Sequence, residues 1–173
     1  MSYDLHGFRV PPGRTVEEYY EDEEREEALM ADDRPPTAEE RAEMERLAAA
    51  VLAHDPTLER SDGKDHIELT SKDAIQVSLF KHEAGITVPY WYEGDKAHDI
   101  LIEMYELAEL LTRESGLSFY DPQTGEEVSG PGPVEAYDSG VQATRRIAER
   151  IADDPPPPPP KQRGWLSKLT RRD

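Results

Sequence analysis

The sequence contains no cysteine. That removes disulfides, thiolate nucleophiles and thiolate metal sites together, and it fits a reducing compartment. Phe and Trp are few, at three and two among 173 residues, while Tyr occurs eight times. No apolar run approaches the roughly 20 residues that span a bilayer. The opening Met1-Ser2-Tyr3-Asp4-Leu5 lacks a basic stretch followed by an apolar one. No signal peptide is therefore expected, and a cytoplasmic location is. Basic residues are scarce over most of the chain: residues 1–154 carry 15 Lys+Arg against 37 Asp+Glu, a balance of −22. A surface of that sign repels phosphate, which argues against nucleic acid as a partner.

Catalytic signatures are also missing. There is no G-x-S-x-G elbow, no G-x-G-x-x-G turn after a strand and no P-loop. His6, His54, His66, His82 and His98 show no metal-ligand spacing,. Carboxylates are abundant but lie in solvated runs, which do not push paired pKa values apart as an acid/base dyad requires. The expectation is a non-enzymatic protein with no cofactor and no metal.

What is present begins with punctuation by proline and glycine. A short strand is predicted over residues 2–10, with Tyr3 and Leu5 on one face and Phe8 and Val10 on the other, stopped by Pro11-Pro12-Gly13,. Thr15 and Glu18 have capping-box spacing ahead of one apolar turn of Val16, Tyr19 and Tyr20,. The helical pattern then fails, because Glu21 to Glu27 holds six acids and one Arg that would repel one another on a solvated helix,. Thr37 and Glu40 form a second capping box, and Met44, Leu47, Ala48 and Val51 follow helical spacing, which predicts a helix over 38–54,.

Three strands follow by alternation, marked by Ile67 and Leu69, by Ile75, Val77 and Leu79, and by Ile86, Val88, Tyr90 and Tyr92,. Pro89, lacking a ladder donor, suggests an edge strand or a bulge in the last of these, and Trp91 points away from its core face. The longest helix is predicted over 96–115, with Ile100, Leu101, Met104, Leu107, Ala108 and Leu111 on one face and Gly116 as its cap,. A strand over 117–121, a turn over 121–125, a loop over 129–133 and a helix over 141–153 complete the core. That last helix carries a narrow stripe of Val141, Ile147, Ala148 and Ile151.

The predicted order βαβββαβα implies an α+β fold. The expected form is a two-layer sandwich of a mostly antiparallel sheet with two main helices on one face, a ferredoxin-like variant, plus a C-terminal helix. Residues 1–14 supply the first strand, 15–36 an acidic insertion expected to be partly disordered, and 37–153 the rest of the core. Residues 154–160 form a polyproline linker and 161–173 a basic amphipathic tail. Six prolines in polyproline II conformation make a rod of roughly 19 Å.

Met1-Ser2-Tyr3-Asp4-Leu5, the run Leu52-Ala53-His54-Asp55-Pro56-Thr57-Leu58, and Leu117-Ser118-Phe119-Tyr120-Asp121-Pro122-Gln123 together resemble a family of small uncharacterised bacterial proteins, common in actinobacteria. The resemblance covers roughly residues 1–125. It implies a compact α+β domain, with some relatives in toxin and immunity gene neighbourhoods, and it supplies no catalytic residues. The acidic insertion and the proline-linked tail depart from that pattern.

Three sets of residues are candidates for function. The first is an acidic interface of Glu17, Glu18, Glu21, Asp22, Glu23, Glu24, Glu26 and Glu27. It could mimic nucleic-acid phosphate, complement a basic protein partner such as a nuclease toxin, or act only as a solubilising spacer. The second is the tail, where Trp165, Leu166 and Leu169 share one helical sector opposite Lys168, Arg171 and Arg172,. It could make weak, reversible contact with an anionic membrane, dock in a partner's groove, fold back on the acidic body, or simply be a basic terminus. The third is a surface loop of Tyr120, Asp121 and Gln123, whose Asp-Pro and Gly125 also make good turn chemistry in their own right. The functional expectation is a protein that binds a basic protein partner through its acidic surface, as an immunity or inhibitor protein. The alternative is an adaptor tethered by its tail to a membrane surface or a protein complex.

Overall fold

The computed structural model of the chain describes residues 1–72, 75–130 and 132–153, without the side chains of Met30 and residues 150–153. The proline run from Pro155 and the tail residues Trp165, Leu166, Lys168, Leu169, Arg171 and Arg172 lie outside the described residues. The fold is α+β. In chain order the elements are β1 (Ser2–Phe8), α1 (Val16–Tyr20), α2 (Glu23–Ala31), α3 (Ala38–His54), β2 (Glu59–Asp62), β3 (His66–Thr70), β4 (Gln76–Phe80) and β5 (Glu83–Pro89), followed by α4 (Asp95–Ser115), β6 (Ser118–Asp121), β7 (Glu126–Glu127) and α5 (Val134–Asp153).

The seven strands form one sheet in the order β2-β3-β4-β5-β1-β6-β7, antiparallel at every step. β2 to β5 form a meander. The crossover through α4 carries the chain from β5 past β1 to β6, the split β-α-β unit of ferredoxin-like sheets,. Alternation sorts the two faces. Tyr3, Leu5, Ile67, Leu69, Val77, Leu79, Ile86 and Val88 point to the buried face, where α3 and α4 cover them in one continuous core. α4 contributes nine buried residues to that core, and each fully buried Leu or Ile contributes about 1.5–3 kcal/mol,. The αL conformation of Gly116 ends α4, its N–H bonded to the Thr112 carbonyl at 2.8 Å.

The opposite face is polar. Asp4 accepts from the hydroxyls of Ser2 and Thr87, and Gln76 donates to Glu68 across neighbouring strands. Such one-sided burial is common in antiparallel sheets. At one end of this face, α1 and α2 pack over Phe8 and Tyr120.

The structure differs from the sequence expectations at four places. The acidic insertion, expected to be partly disordered, forms α1 and α2. β2 was not legible, since all four of its residues are exposed and no alternation marks it. Pro89 lies neither at an edge nor in a bulge: β5 is interior, and Pro89 is its last residue, beyond the start of β4 opposite Thr87, so its missing N–H breaks no bond on that side. α5 begins at Val134, seven residues before the predicted start, and is anchored by fully buried Tyr137, whose hydroxyl donates to the Pro89 carbonyl at 2.6 Å. Of its expected stripe, Val141 is buried and Ile147 and Ala148 are exposed, while the Ile151 side chain lies outside the described residues. Among the described residues, no helix is long and apolar enough to cross a membrane.

Candidate functional site

The candidate site is the strap formed by α1 and α2, together with the clefts it makes against the polar face. Local chemistry starts each helix. Thr15 Oγ1 accepts the Glu18 N–H and the Glu18 carboxylate accepts the Thr15 N–H, completing the capping box,. Asp22 caps α2 by accepting the Arg25 N–H, and acids in the first turn suit the positive end of the helix dipole,. Arg14 ties the two helices, pairing with Asp22 at 2.5 Å and donating to the Glu18 carbonyl at 2.6 Å. This pairing holds the Asp22 carboxyl below its ordinary range.

α2 has no strong apolar face, so polar and aromatic contacts dock it. The Arg25 guanidinium lies 4.3 Å from the Phe8 ring centroid and 5.2 Å from that of Tyr19,. Its Nε and Nη1 are buried without a hydrogen-bond acceptor, so ring faces stand where acceptors usually do. Below the C-terminal end of α2, Lys81 is only 13% exposed. It donates at 2.9 Å to the carbonyls of both Asp32 and Arg34 and pairs with the Asp32 carboxylate at 2.9 Å. Lys81 therefore holds the Asp32 carboxyl below its ordinary range. Arg34 grips Glu40 with two bonds of 2.6 Å, and with the Thr37 N–H this drives the Glu40 carboxyl far below the usual carboxylate range.

The strap presents its acids outward. Glu17, Glu18, Glu21, Glu23, Glu24, Glu26 and Glu27 are exposed and Asp22 is half-buried. Asp22 is paired with Arg14 and Glu18 is engaged in the cap, whereas Glu17, Glu21, Glu23, Glu24, Glu26 and Glu27 form no ion pair among the described residues. Glu17 and Glu21, like Glu23 and Glu27, stand at i,i+4, where like charges repel. Acids around α3 contrast with this: Glu43 pairs with Arg9, Glu45 and Asp62 with Arg41 and Arg60, and Glu114 with Arg46.

Two adjoining clefts lie beneath α2 and share Leu29 and Glu83. The larger, about 550 Å³, has His6, Phe8 and Tyr20 as aromatic wall and Glu21, Glu26 and Glu83 among its lining groups. The His6 ring lies nearly parallel to Phe8 and 5.3 Å from Tyr20. Burial lowers the His6 pKa, and Arg25 adds to that effect against the opposing pull of Asp4 and Glu83. The smaller cleft, about 180 Å³, is lined by Asp33, Asp65, Phe80 and the Lys81 cluster. Sequence reading weighed His6 only as a metal ligand and passed over Arg25, Asp65, Phe80 and Glu83. Only the adjacent Tyr19 and Tyr20 hinted that this segment packs on something.

The predicted surface loop is instead a buried joint. Tyr120 is buried beside Phe8 and Val16. Asp121 is 1% exposed and accepts the hydroxyls of Tyr3 and Tyr105, each at 2.5 Å, and the Gln123 N–H at 2.8 Å. Burial and these bonds raise the pKa of both tyrosines far above the usual range, so both remain donors,. Gln123 alone of the three is exposed. Trp91 is 74% exposed in the turn after β5 and is not packed beneath α5. Among the described residues, no group of three or more His, Asp or Glu is arranged to hold a metal ion. No protein-family model, curated protein or solved structure matches the chain.

Proposed function

We propose that the chain is a non-enzymatic, cytoplasmic binding module that recognises a basic protein partner through the strap. The observation that carries this reading is the set of six exposed, unpaired glutamates along the strap, while Glu40, Glu43 and Glu45 of α3 already have cationic partners. A basic partner relieves the like-charge repulsion along α1 and α2 and is steered to the strap by its field. The same sign of charge disfavours nucleic acid. An immunity or inhibitor role, binding a basic toxin, is the biological form of this reading and accords with the resemblance to the actinobacterial family.

The test compares the full chain with a variant carrying Glu→Gln at 17, 21, 23, 24, 26 and 27, both used to capture partners at about 50 and 300 mM salt, since screening weakens exposed charge pairs across that range. The reading expects a basic protein retained by the wild type at low salt, released at high salt and not retained by the variant. A partner that binds the variant equally well rejects it. The second reading, an adaptor tethered peripherally at a membrane or to a complex, rests on the Trp165, Leu166 and Leu169 sector of the basic tail. Deleting residues 155–173 tests it, because a tether loses its localisation on deletion and unchanged localisation rejects the role.

A further inference from the structure

The end of the sheet away from the strap gathers exposed apolar side chains. Among the described residues, the large apolar side chains that are exposed belong to Met1, Phe80, Trp91 and Ile147. Three of these four meet at one corner. Met1 Sδ lies 3.6 Å from Thr144 Oγ1 on α5, and Ile147 stands one turn further along that helix,. Trp91 follows β5, whose Pro89 is opposite Ser2, and Glu93, two residues on, pairs with Arg145 of α5. The Tyr90 ring lies against Gly140 and leaves no room there for a Cβ. Past Val141 the described side chains of α5 are half-buried or exposed, so its apolar stripe runs on beyond the core.

The charge at this corner also differs from that of the body. Residues 145–150 carry three Arg against one Glu, and positions 145 and 150 fall on either side of the helical sector of Thr144, Ile147 and Ala148,. The chain then runs through Pro155–Pro160 to a segment of five basic residues against one acid. Phe8, beneath the strap, is six residues from Ser2 along β1, about 20 Å or roughly two Debye lengths at 0.1 M salt,. The strap's acids are therefore largely screened from this end.

We infer that this corner rests on an anionic lipid surface, with Trp91, Met1 and Ile147 entering the headgroup boundary and the α5 arginines meeting lipid phosphate. The inference deepens the tether reading and rests on it, adding a contact in the folded domain to the one made by the tail. A single weak anchor binds a membrane marginally and reversibly, and stable attachment takes two signals. The tail follows α5 directly, so both signals leave the body at the same end. Tryptophan suits such a boundary because its ring is apolar and its N–H can stay wet.

The experiment is co-sedimentation of the full chain with vesicles of phosphatidylcholine, alone or with about 30% phosphatidylglycerol, at about 0.1 M salt. Binding is expected to the anionic vesicles and not to the neutral ones. Trp91→Ala and Ile147→Ser, both at exposed positions, should each weaken it about three- to tenfold,. In a Trp165→Phe chain Trp91 is the sole indole, and its emission should shift to the blue on binding. No binding to either vesicle, equal binding to both, or full binding by both corner variants overturns the inference. A variant with Ala at 165, 166 and 169 separates it from the tail tether. If that variant is released while Trp91→Ala and Ile147→Ser bind like the wild type, the tail tether stands and the corner falls. If the corner variants are released while the tail variant still binds, the corner stands and the tail tether falls. Localisation lost in Trp91→Ala without any vesicle binding by the wild type assigns the corner to a protein and overturns the lipid surface.

Discussion

The two faces of the sheet are held by different physics. On one, α3 and α4 bury long apolar stripes, and removal of that surface from water does most of the stabilising,. On the other, α1 and α2 bury one valine fully and otherwise rely on aromatic rings, a guanidinium over Phe8 and the Lys81 clamp. A segment held this way opens at lower free energy than the core and can adapt to a partner. Six of its glutamates also form no ion pair among the described residues. The main apolar core and the strap's six unpaired glutamates are thus placed on opposite sides of one sheet.

The largest expected effect tests that contrast by truncation. Leu107→Ala in α4 should cost about 2–5 kcal/mol in urea unfolding, while Leu29→Ala in α2 should cost less than about 1 kcal/mol. Equal costs would mean that the strap belongs to the core. Next, Asp121→Ala should cost about 2–4 kcal/mol, because the Tyr3 and Tyr105 hydroxyls lose their acceptor in a dry site,. Asp121→Asn, which keeps an acceptor oxygen, should cost less. A smaller effect is expected from Lys81→Met. Global stability should fall by about 1 kcal/mol or less, but hydrogen exchange across residues 16–31 should quicken selectively. Uniform acceleration across β1 to β6 would contradict a separate strap.

Acidity gives the finest distinction. Burial depresses the His6 pKa, so the unfolded chain takes up a proton first as pH falls below about 6.5, and stability declines from there toward the lower folded value,. Asp22, Asp32, Glu40 and Asp62 are depressed by their cationic partners. Their contribution is present above about pH 4 and is lost as pH falls through their folded values,. Urea midpoints should therefore fall in two stages, and His6→Phe should flatten the upper one. A midpoint that rises between about pH 7 and 5.5 would contradict the sign.

Much of the core was legible because its causes are local and periodic. The Thr37–Glu40 capping box and the Met44-to-Val51 spacing mark α3 with the bounds observed, and alternation at Ile67, Val77 and Ile86 marks the central strands. The strap and site were less legible because their causes lie far apart in the chain. Arg25 docks α2 through Phe8, a residue in β1, and a charged anchor leaves no hydrophobic periodicity. Asp121 looked like turn chemistry, which it also is, since its burial depends on Tyr3, 118 residues away. β2 exists through pairing with β3 and the Arg60–Asp62–Glu45 ion pairs, and none of these leaves an apolar signature.

The central claim is that the strap, and not the better-paired acidic surface around α3, is where a basic partner binds. Backbone amide shifts of the full chain titrated with an arginine-rich peptide, at about 50 and 300 mM salt, test this directly. The account predicts perturbations concentrated in residues 15–33 and in the clefts beneath α2, with affinity falling at least about tenfold at the higher salt. Perturbations centred on α3 and β2, or an affinity indifferent to salt, would contradict it.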